Sequence, residues 1–372
     1  MNLTAAQLDR ARGVLLATAA GDALGAGYEF GPPLADGTPV ALLGGGSLGW
    51  EPGEWTDDTS MAIAIAEVAA RGGDLRAASA QDAVVARWAT WAKTAPDVGN
   101  QTRLVLRAVE GHSSVPVSAE FVPDPFSAGA TGAPGAEGAT AATGTTRTAE
   151  GVVSGAGAAA TALKASGNLH MRTGHTAGNG SLMRTAPVAL AYLRDGREDA
   201  LTDAATQLSA VTHYDPEAGE ACVLWCHIIR HAVRTGELEP GAGLRYLRNG
   251  SRRVWAQRLD EASRSRPADF THNGWVVEAL QGAWSAITTV PASGTTAPAS
   301  GEPAGHLRVA LEAAVRGGRD ADTVAAIAGG VLGAVHGASA VPAPWREILH
   351  GWPGLNADDL VTLAERIVAS HR

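Results

Sequence analysis

Lysine is nearly missing from this 372-residue chain: Lys93 and Lys164 are the only two, so arginine carries the positive charge. No run of basic residues occurs, and the formal net charge is −9. A protein that grips a nucleic-acid backbone presents a basic face, so duplex DNA or RNA is not an expected partner. Cysteine is equally scarce. Cys222 and Cys226 sit four apart on one face of an apolar helical stretch, which is too little for a zinc site. They read as small core residues in a reducing compartment. No stretch of about 18 apolar residues is present, so no membrane span is expected. Residues 13–20 follow Arg10 and Arg12 and imitate a secretion signal, but Asp22 and Glu29 come directly after. The expected location is the cytoplasm. Runs of β-branched residues are also rare, which disfavours a sheet.

What is present is a globular composition, 45% apolar and 18% charged, with Ala and Gly dominating the apolar share. That favours closely packed helices, and the expected class is all-α. The periodicity predicts helices over 4–27, 60–70, 80–95, 183–194, 199–212, 217–235, 241–258, 273–287, 306–316, 323–336 and 357–370. Thr4 and Gln7 have the spacing of a capping box for the first. In 80–95 the buried side is Val84, Val85, Trp88, Trp91 and Ala92. Residues 31–54 are rich in Gly and Pro and read as a long loop. Two stretches, about 123–160 and 291–305, have almost no large apolar side chains and read as flexible insertions, with helix resuming near Ala158. Motifs lie on both sides of each, so the expectation is one domain over 1–372.

Two acidic clusters open strongly apolar helices. One is Thr56-Asp57-Asp58-Thr59, the other Asp320-Ala321-Asp322-Thr323. A single such cluster is an ordinary N-cap, because Asp and Thr accept from the first helical N–H groups. One cap needs one oxygen, however, and here are four carboxylates. If the two helix starts face each other, the carboxylates repel and their pKa values rise unless cations neutralise them. Oxygen-only ligands select magnesium, manganese or calcium over zinc, and two facing clusters suit a two-metal centre.

The pair of clusters resembles the binuclear metal site of the ADP-ribosylglycohydrolases, the dinitrogenase-reductase-activating glycohydrolase family. Further segments carry the likeness in family order: Gly21-Asp22-Ala23-Leu24-Gly25 with Glu29-Phe30, then Pro96-Asp97-Val98-Gly99-Asn100-Gln101-Thr102-Arg103, Gly178-Asn179-Gly180-Ser181-Leu182-Met183-Arg184, and Thr212-His213. The resemblance implies a compact, orthogonal multi-helix fold with a binuclear metal cleft. It implies Thr56, Asp57 and Asp58 as one ligand group and Asp320, Asp322 and Thr323 as the other, holding two divalent cations, Mg2+ or Mn2+. It implies hydrolysis of the bond between ADP-ribose and a modified protein or small-molecule acceptor, with ADP-ribosyl-arginine favoured by the Pro-Asp-x-Gly-Asn segment.

Each remaining residue has a plain reading beside the functional one. Asn179-Gly180-Ser181 is a glycine turn with a serine cap, or a cradle for a diphosphate at the start of the next helix. Asp97 is an Asx-turn residue, or, as the resemblance implies, a contact to the ribose or the leaving group acting as an acid or base, with Gly99 and Asn100 contacting substrate beside it. Glu29, at the end of the first helix, is a solvated carboxylate or a catalytic one. With Asp57 and Asp322 these make the candidate catalytic set. Asp22 reads as a hydrogen-bonding support for the metal loops. His213 is a packing group or a substrate contact, and Trp55 packs its loop. Two rival readings keep the same residues: an ADP-ribose-binding module without turnover, and a metal-dependent dinucleotide phosphohydrolase.

Overall fold

The structure, a computed structural model, describes residues 3–111, 157–290 and 305–371. Of the two low-complexity stretches, residues up to 156 in the first and 291–304 in the second lie outside the described residues. Helices dominate. In chain order they are α1 (Ala5–Ala26), α2 (Asp57–Ala69), α3 (Ala78–Trp91), α4 (Asn100–Val109), α5 (Ala158–Thr173), α6 (Ala186–Leu190), α7 (Glu198–Ala210), α8 (Pro216–Thr235), α9 (Gly241–Leu244), α10 (Asn249–Ala262), α11 (Val276–Thr289), α12 (His306–Arg316), α13 (Ala321–His336), α14 (Ala343–Ile348) and α15 (Ala357–Ser370). Among the described residues the only strands are a two-residue antiparallel pair, β1 (His350–Gly351) and β2 (Leu355–Asn356). No described helix is long and apolar enough to cross a membrane.

The sequence expectations hold for most elements and fail in instructive places. Thr4 and Gln7 form the capping box of α1, and Cys222 and Cys226 are free and buried. The continuous helix expected over 241–258 is two helices. The Arg252 guanidinium donates to the carbonyls of Leu244, Arg245 and Leu247, which satisfies the end of α9 and lets the chain turn before α10. The helix expected over 183–194 shrinks to α6, with Pro187 in its first turn. The sequence reading did not anticipate α4, whose buried side is only Thr102, Val105 and Leu106.

The axis of the fold is α1 against α13. From Ala11 onward α1 is buried on almost every side, as a stretch whose only polar side chains are Arg12, Thr18 and Asp22 requires. Small residues let the two backbones touch. A Cβ at Gly333 would lie 2.0 Å from the Gly13 carbonyl oxygen, one at Gly329 2.1 Å from that of Ala17, and one at Gly21 2.2 Å from that of Ala325. One at Gly25 would lie 2.3 Å from Asp322 Cα. This order makes the helices antiparallel, so the last turns of α1 meet the first turn of α13. A single cluster of buried apolar residues surrounds the seam and runs from Ala11 to Val368.

Candidate active site

Three helix ends converge at that junction: the end of α1, which carries Asp22, and the starts of α2 and α13. Thr56 and Asp320 stand at N-cap positions, yet neither side chain caps its helix. The ordinary capping explanation for the two acidic clusters therefore does not apply. Asp22 is fully buried. One of its oxygens accepts from the Thr56 N–H (3.0 Å) and hydroxyl (2.8 Å), the other from the Thr59 N–H (2.9 Å) and hydroxyl (2.6 Å). Burial pushes its pKa up to about 6, against the pull of those bonds. The Thr56 hydroxyl also lies 3.1 Å from Asp58 Oδ2, and its single hydrogen serves one carboxylate at a time. Asp22 is thus the support expected from the sequence: it fixes the entry into α2.

Carboxylates from distant parts of the chain gather around this support. Oxygens of Asp22, Asp58 and Asp322 lie within 4.8 Å of one another, and so do oxygens of Glu29, Asp320 and Asp322. Asp322 belongs to both groups. Thr323 leans in from α13, its hydroxyl 3.5 Å from Asp58 Oδ2. Burial and then repulsion from other carboxylates, Asp22 and Asp320 for Asp58 and Glu29 and Asp58 for Asp322, hold the two well above the usual carboxylate range. Burial, Asp320 and Asp97 push Glu29 up to about 9. Asp58 Oδ1 and Asp322 Oδ1 are buried and have no hydrogen-bond partner among the described residues. Buried carboxylate oxygens left unpaired are strongly disfavoured. A hard divalent cation takes such oxygen-only donors at close range and removes the repulsion, so the residues present fit a metal ion.

Backbone strain holds two of these residues. Glu29 sits in the turn beyond α1, and Phe30 and Arg319 both adopt left-handed backbone (φ 63° and 60°). The Phe30 N–H donates to the Arg319 carbonyl (2.7 Å), and the Arg319 N–H to the Gly31 carbonyl (2.7 Å). Bulky side chains rarely accept such φ values, and sites of this kind concentrate near function.

Asp57 lies outside both close carboxylate groups. After burial, its pKa is raised first by Asp97 and then by Asp58, which puts it in the same acidic field on the side of Asp97. Asp97 lies in the loop before α4, half-buried, with its pKa pushed up to about 6 by burial. Its Oδ1 is buried without a partner. Gly99 and Asn100 are exposed at the start of α4.

The Asn179-Gly180-Ser181 turn differs from the expectation. No helix starts at Ser181. The three residues form a 3-10 turn, and α6 begins only at Ala186. The Ser181 hydroxyl faces the core, where it accepts from Ser209 Oγ (2.9 Å) and Cys222 Sγ (3.6 Å). Asn179 Nδ2 donates to Asp320 (2.6 Å) and to the Asn273 carbonyl (2.9 Å). The Asn179 amide nitrogen and the Ser181 oxygen are thus both engaged within the protein. The His213 ring lies beneath the turn, buried to 3% exposure, with its edge against Gly178 and Gly180.

Asn273 had escaped the sequence reading, and Gln101 and Arg184 had been named in motifs without a role. Asn273 ties the turn to the acidic loop, donating to the Gly318 carbonyl (3.0 Å) and accepting from the Asp320 N–H (3.3 Å). Its only local signal was an Asn-Gly pair. Gln101 donates to the carbonyls of Thr176 and Thr212 (3.2 and 2.7 Å). Arg184 is buried beneath the site and stacks on Trp88 at 3.9 Å. Trp55 packs its loop as expected, donating to the Trp352 carbonyl.

Comparison with known proteins agrees with this geometry. The family model for ADP-ribosylglycohydrolase matches residues 3–372. The chain is 26% identical to the ADP-ribosylarginine hydrolase Tri1 of Serratia proteamaculans, over 92% of its own length and 75% of that protein's. It is 27% identical to the ADP-ribosyl-dinitrogen reductase glycohydrolase of Rhodospirillum rubrum, over 91% and 89%. A solved structure described as an ADP-ribosylglycohydrolase-related protein complex shares the fold, with a TM-score of 0.63 at 24% identity over 98% of this chain and 99% of that one. The chain belongs to the ADP-ribosylglycohydrolase family and is an enzyme that hydrolyses the glycosidic bond between ADP-ribose and a modified acceptor.

Proposed function

We propose that the acceptor is arginine, on a protein or a small molecule, and that two divalent cations, Mg2+ or Mn2+, serve the reaction. The observation that carries the cations is the pair of carboxylate groups sharing Asp322; the arginine acceptor rests on the similarity to an ADP-ribosylarginine hydrolase. Thr56, Asp57, Asp58 and Thr323 would serve one ion and Glu29 with Asp320 the other, with Asp322 common to both. Bound there, the ions would orient the sugar and lower the pKa of water. The whole chain acts as one domain in this reading, because the groups unite residues from both ends of it.

The other residues act on the substrate directly. Cleavage at the anomeric carbon passes through an oxocarbenium-like state. Asp97, with a pKa near 6, is suited to exchange a proton near neutrality. It takes a proton from the attacking water as the water oxygen bonds to the anomeric carbon. The bond to the guanidino nitrogen breaks with its electron pair to nitrogen, and the same proton returns to that nitrogen. Asp57 and Asp97 together favour a cationic acceptor beside the ribose. Gly180, with the backbone of its turn, and the exposed Gly99 and Asn100 line the approach to them.

The test uses purified enzyme and ADP-ribosylated arginine. Asp97→Asn should lower kcat by about 10²- to 10⁴-fold, and Asp322→Ala or excess chelator should abolish turnover with far-UV circular dichroism unchanged. The product should be intact ADP-ribose. Full activity in Asp322→Ala, or AMP as the product, defeats the reading.

A further inference from the structure

We propose that Glu54 is the residue that recognises the acceptor. Its carboxylate takes the guanidinium of the ADP-ribosylated arginine at the mouth of the site, and so favours this acceptor over an uncharged one. The proposal rests on the arginine reading above and names a side chain that enforces it.

Glu54 stands where the chain climbs out of the site. Asp58 and Thr56 are buried, Glu54 is half-buried, and Pro52 and Glu51 are exposed. The His350 N–H donates to the Gly53 carbonyl and the Trp55 N–H to the His350 carbonyl (3.0 Å each), a bridge that holds Glu54 in strand-like backbone. Thr56 is extended as well. Alternate side chains of an extended segment share a face. Trp55 therefore turns into the core, and Glu54 turns to the side of Thr56, whose hydroxyl meets Asp22 and Asp58. Glu54 is also among the charges that raise the pKa of Asp97. It thus stands beside the carboxylate that the proposed reaction sets at the anomeric carbon.

This carboxylate is oriented but not neutralised. Its Oε2 accepts from the Glu51 N–H (2.8 Å), and the Glu54 N–H donates back to the Glu51 carbonyl (3.0 Å). The two bonds close the turn over 51–54 and leave Oε1 open. Among the described residues no arginine, lysine or histidine pairs with Glu54, whereas Glu51 is engaged by His350 Nε2 (3.2 Å). Glu54 also lies outside both close carboxylate groups that suit a metal ion. A half-buried anion among other anions is disfavoured until a cation reaches it. A guanidinium meets the need: it is planar, cationic, and rich in N–H donors. One of its nitrogens carries the ribose beside Asp97, and another is left to donate to Oε1. An alcohol or ester acceptor has no such donor and would leave the charge unpaired.

The experiment separates charge from structure on the full-length enzyme. Glu54→Gln keeps an oxygen to close the turn and removes the charge. With ADP-ribosyl-arginine as substrate it should raise KM about tenfold, the worth of one charge-assisted hydrogen bond at a half-exposed group, while the inhibition constant of free ADP-ribose, which has no acceptor, stays within about twofold. A Glu54→Gln enzyme with the wild-type KM overturns the proposal. So does one whose KM and ADP-ribose inhibition constant rise together, since that marks a disturbed loop and not a lost acceptor contact. A wild type that releases no ADP-ribose from ADP-ribosyl-arginine overturns the arginine reading, and this proposal with it.

Discussion

His227 shows what a single buried group does to this enzyme. It lies in α8, almost fully buried, stacked on Tyr246 at 3.6 Å and bonded through Nε2 to the Thr202 hydroxyl. Burial, then Arg230 and Arg245, lower its pKa to about 3. The unfolded chain, with an ordinary imidazole near 6.5, therefore binds the proton more readily than the fold. The stability from keeping this ring neutral is complete above about pH 6.5 and declines as pH falls towards 3. Urea denaturation should give a wild type about 2 kcal/mol less stable at pH 5 than at pH 7.5 from this group. His227→Gln should flatten that part of the slope, leaving the contributions of the other imidazoles lowered by burial, among them His213 and His336, the latter brought to about 4 by burial and His306. At this scale the sequence was uneven. Asp58, Asp320 and Asp322 were legible because their oddness is local: too many carboxylates for one cap. Asn273 and Arg184 were not, because their meaning lies in partners far along the chain. Ser181 misled for the same reason, since only packing on α7 and α8 turns its hydroxyl inward.

The element that matters most is the seam between α1 and α13. Its glycines are not equivalent. Gly333 touches the backbone of Gly13 far from the acidic groups, whereas Gly25 touches Asp322 itself. Gly333→Ala and Gly25→Ala should each destabilise by about 1–3 kcal/mol, as overpacked cores do, measured by chemical denaturation. Only Gly25→Ala should also weaken Mn2+ binding, followed by calorimetry, because its methyl displaces the backbone that carries Asp322. Equal metal affinity in the two variants would sever helix packing from the site. Sequence pattern revealed α1 and α13 through apolar runs too long for a strand, since both are apolar nearly all round. It joined α9 to α10 because the break between them depends on the Arg252 side chain, which no local pattern encodes.

For the whole molecule, the acidic groups are a folding problem as well as a site. Asp57, Asp58 and Asp322 have their pKa values raised by burial and by neighbouring carboxylates, so without a cation the fold loses stability as pH rises past the carboxylate range. A bound ion reverses that loss. Mg2+ or Mn2+ at about a hundred times its Kd should add about 2.7 kcal/mol for each site filled, seen as a higher Tm at pH 7.5 that chelator removes. Asp322→Ala should show no such rise. The all-α class was legible from composition. That residues near 57 and near 320 share one cup was legible only through the family resemblance, because distance along a chain says nothing of distance in space.

The paired backbone bonds between residues 30–31 and Arg319 have a mechanical consequence. They rivet the peptide beside Glu29 to the peptide beside Asp320, so these two carboxylates ride on one stiff bracket although they come from opposite ends of the polypeptide. An incoming molecule that pushes against either one must shift both.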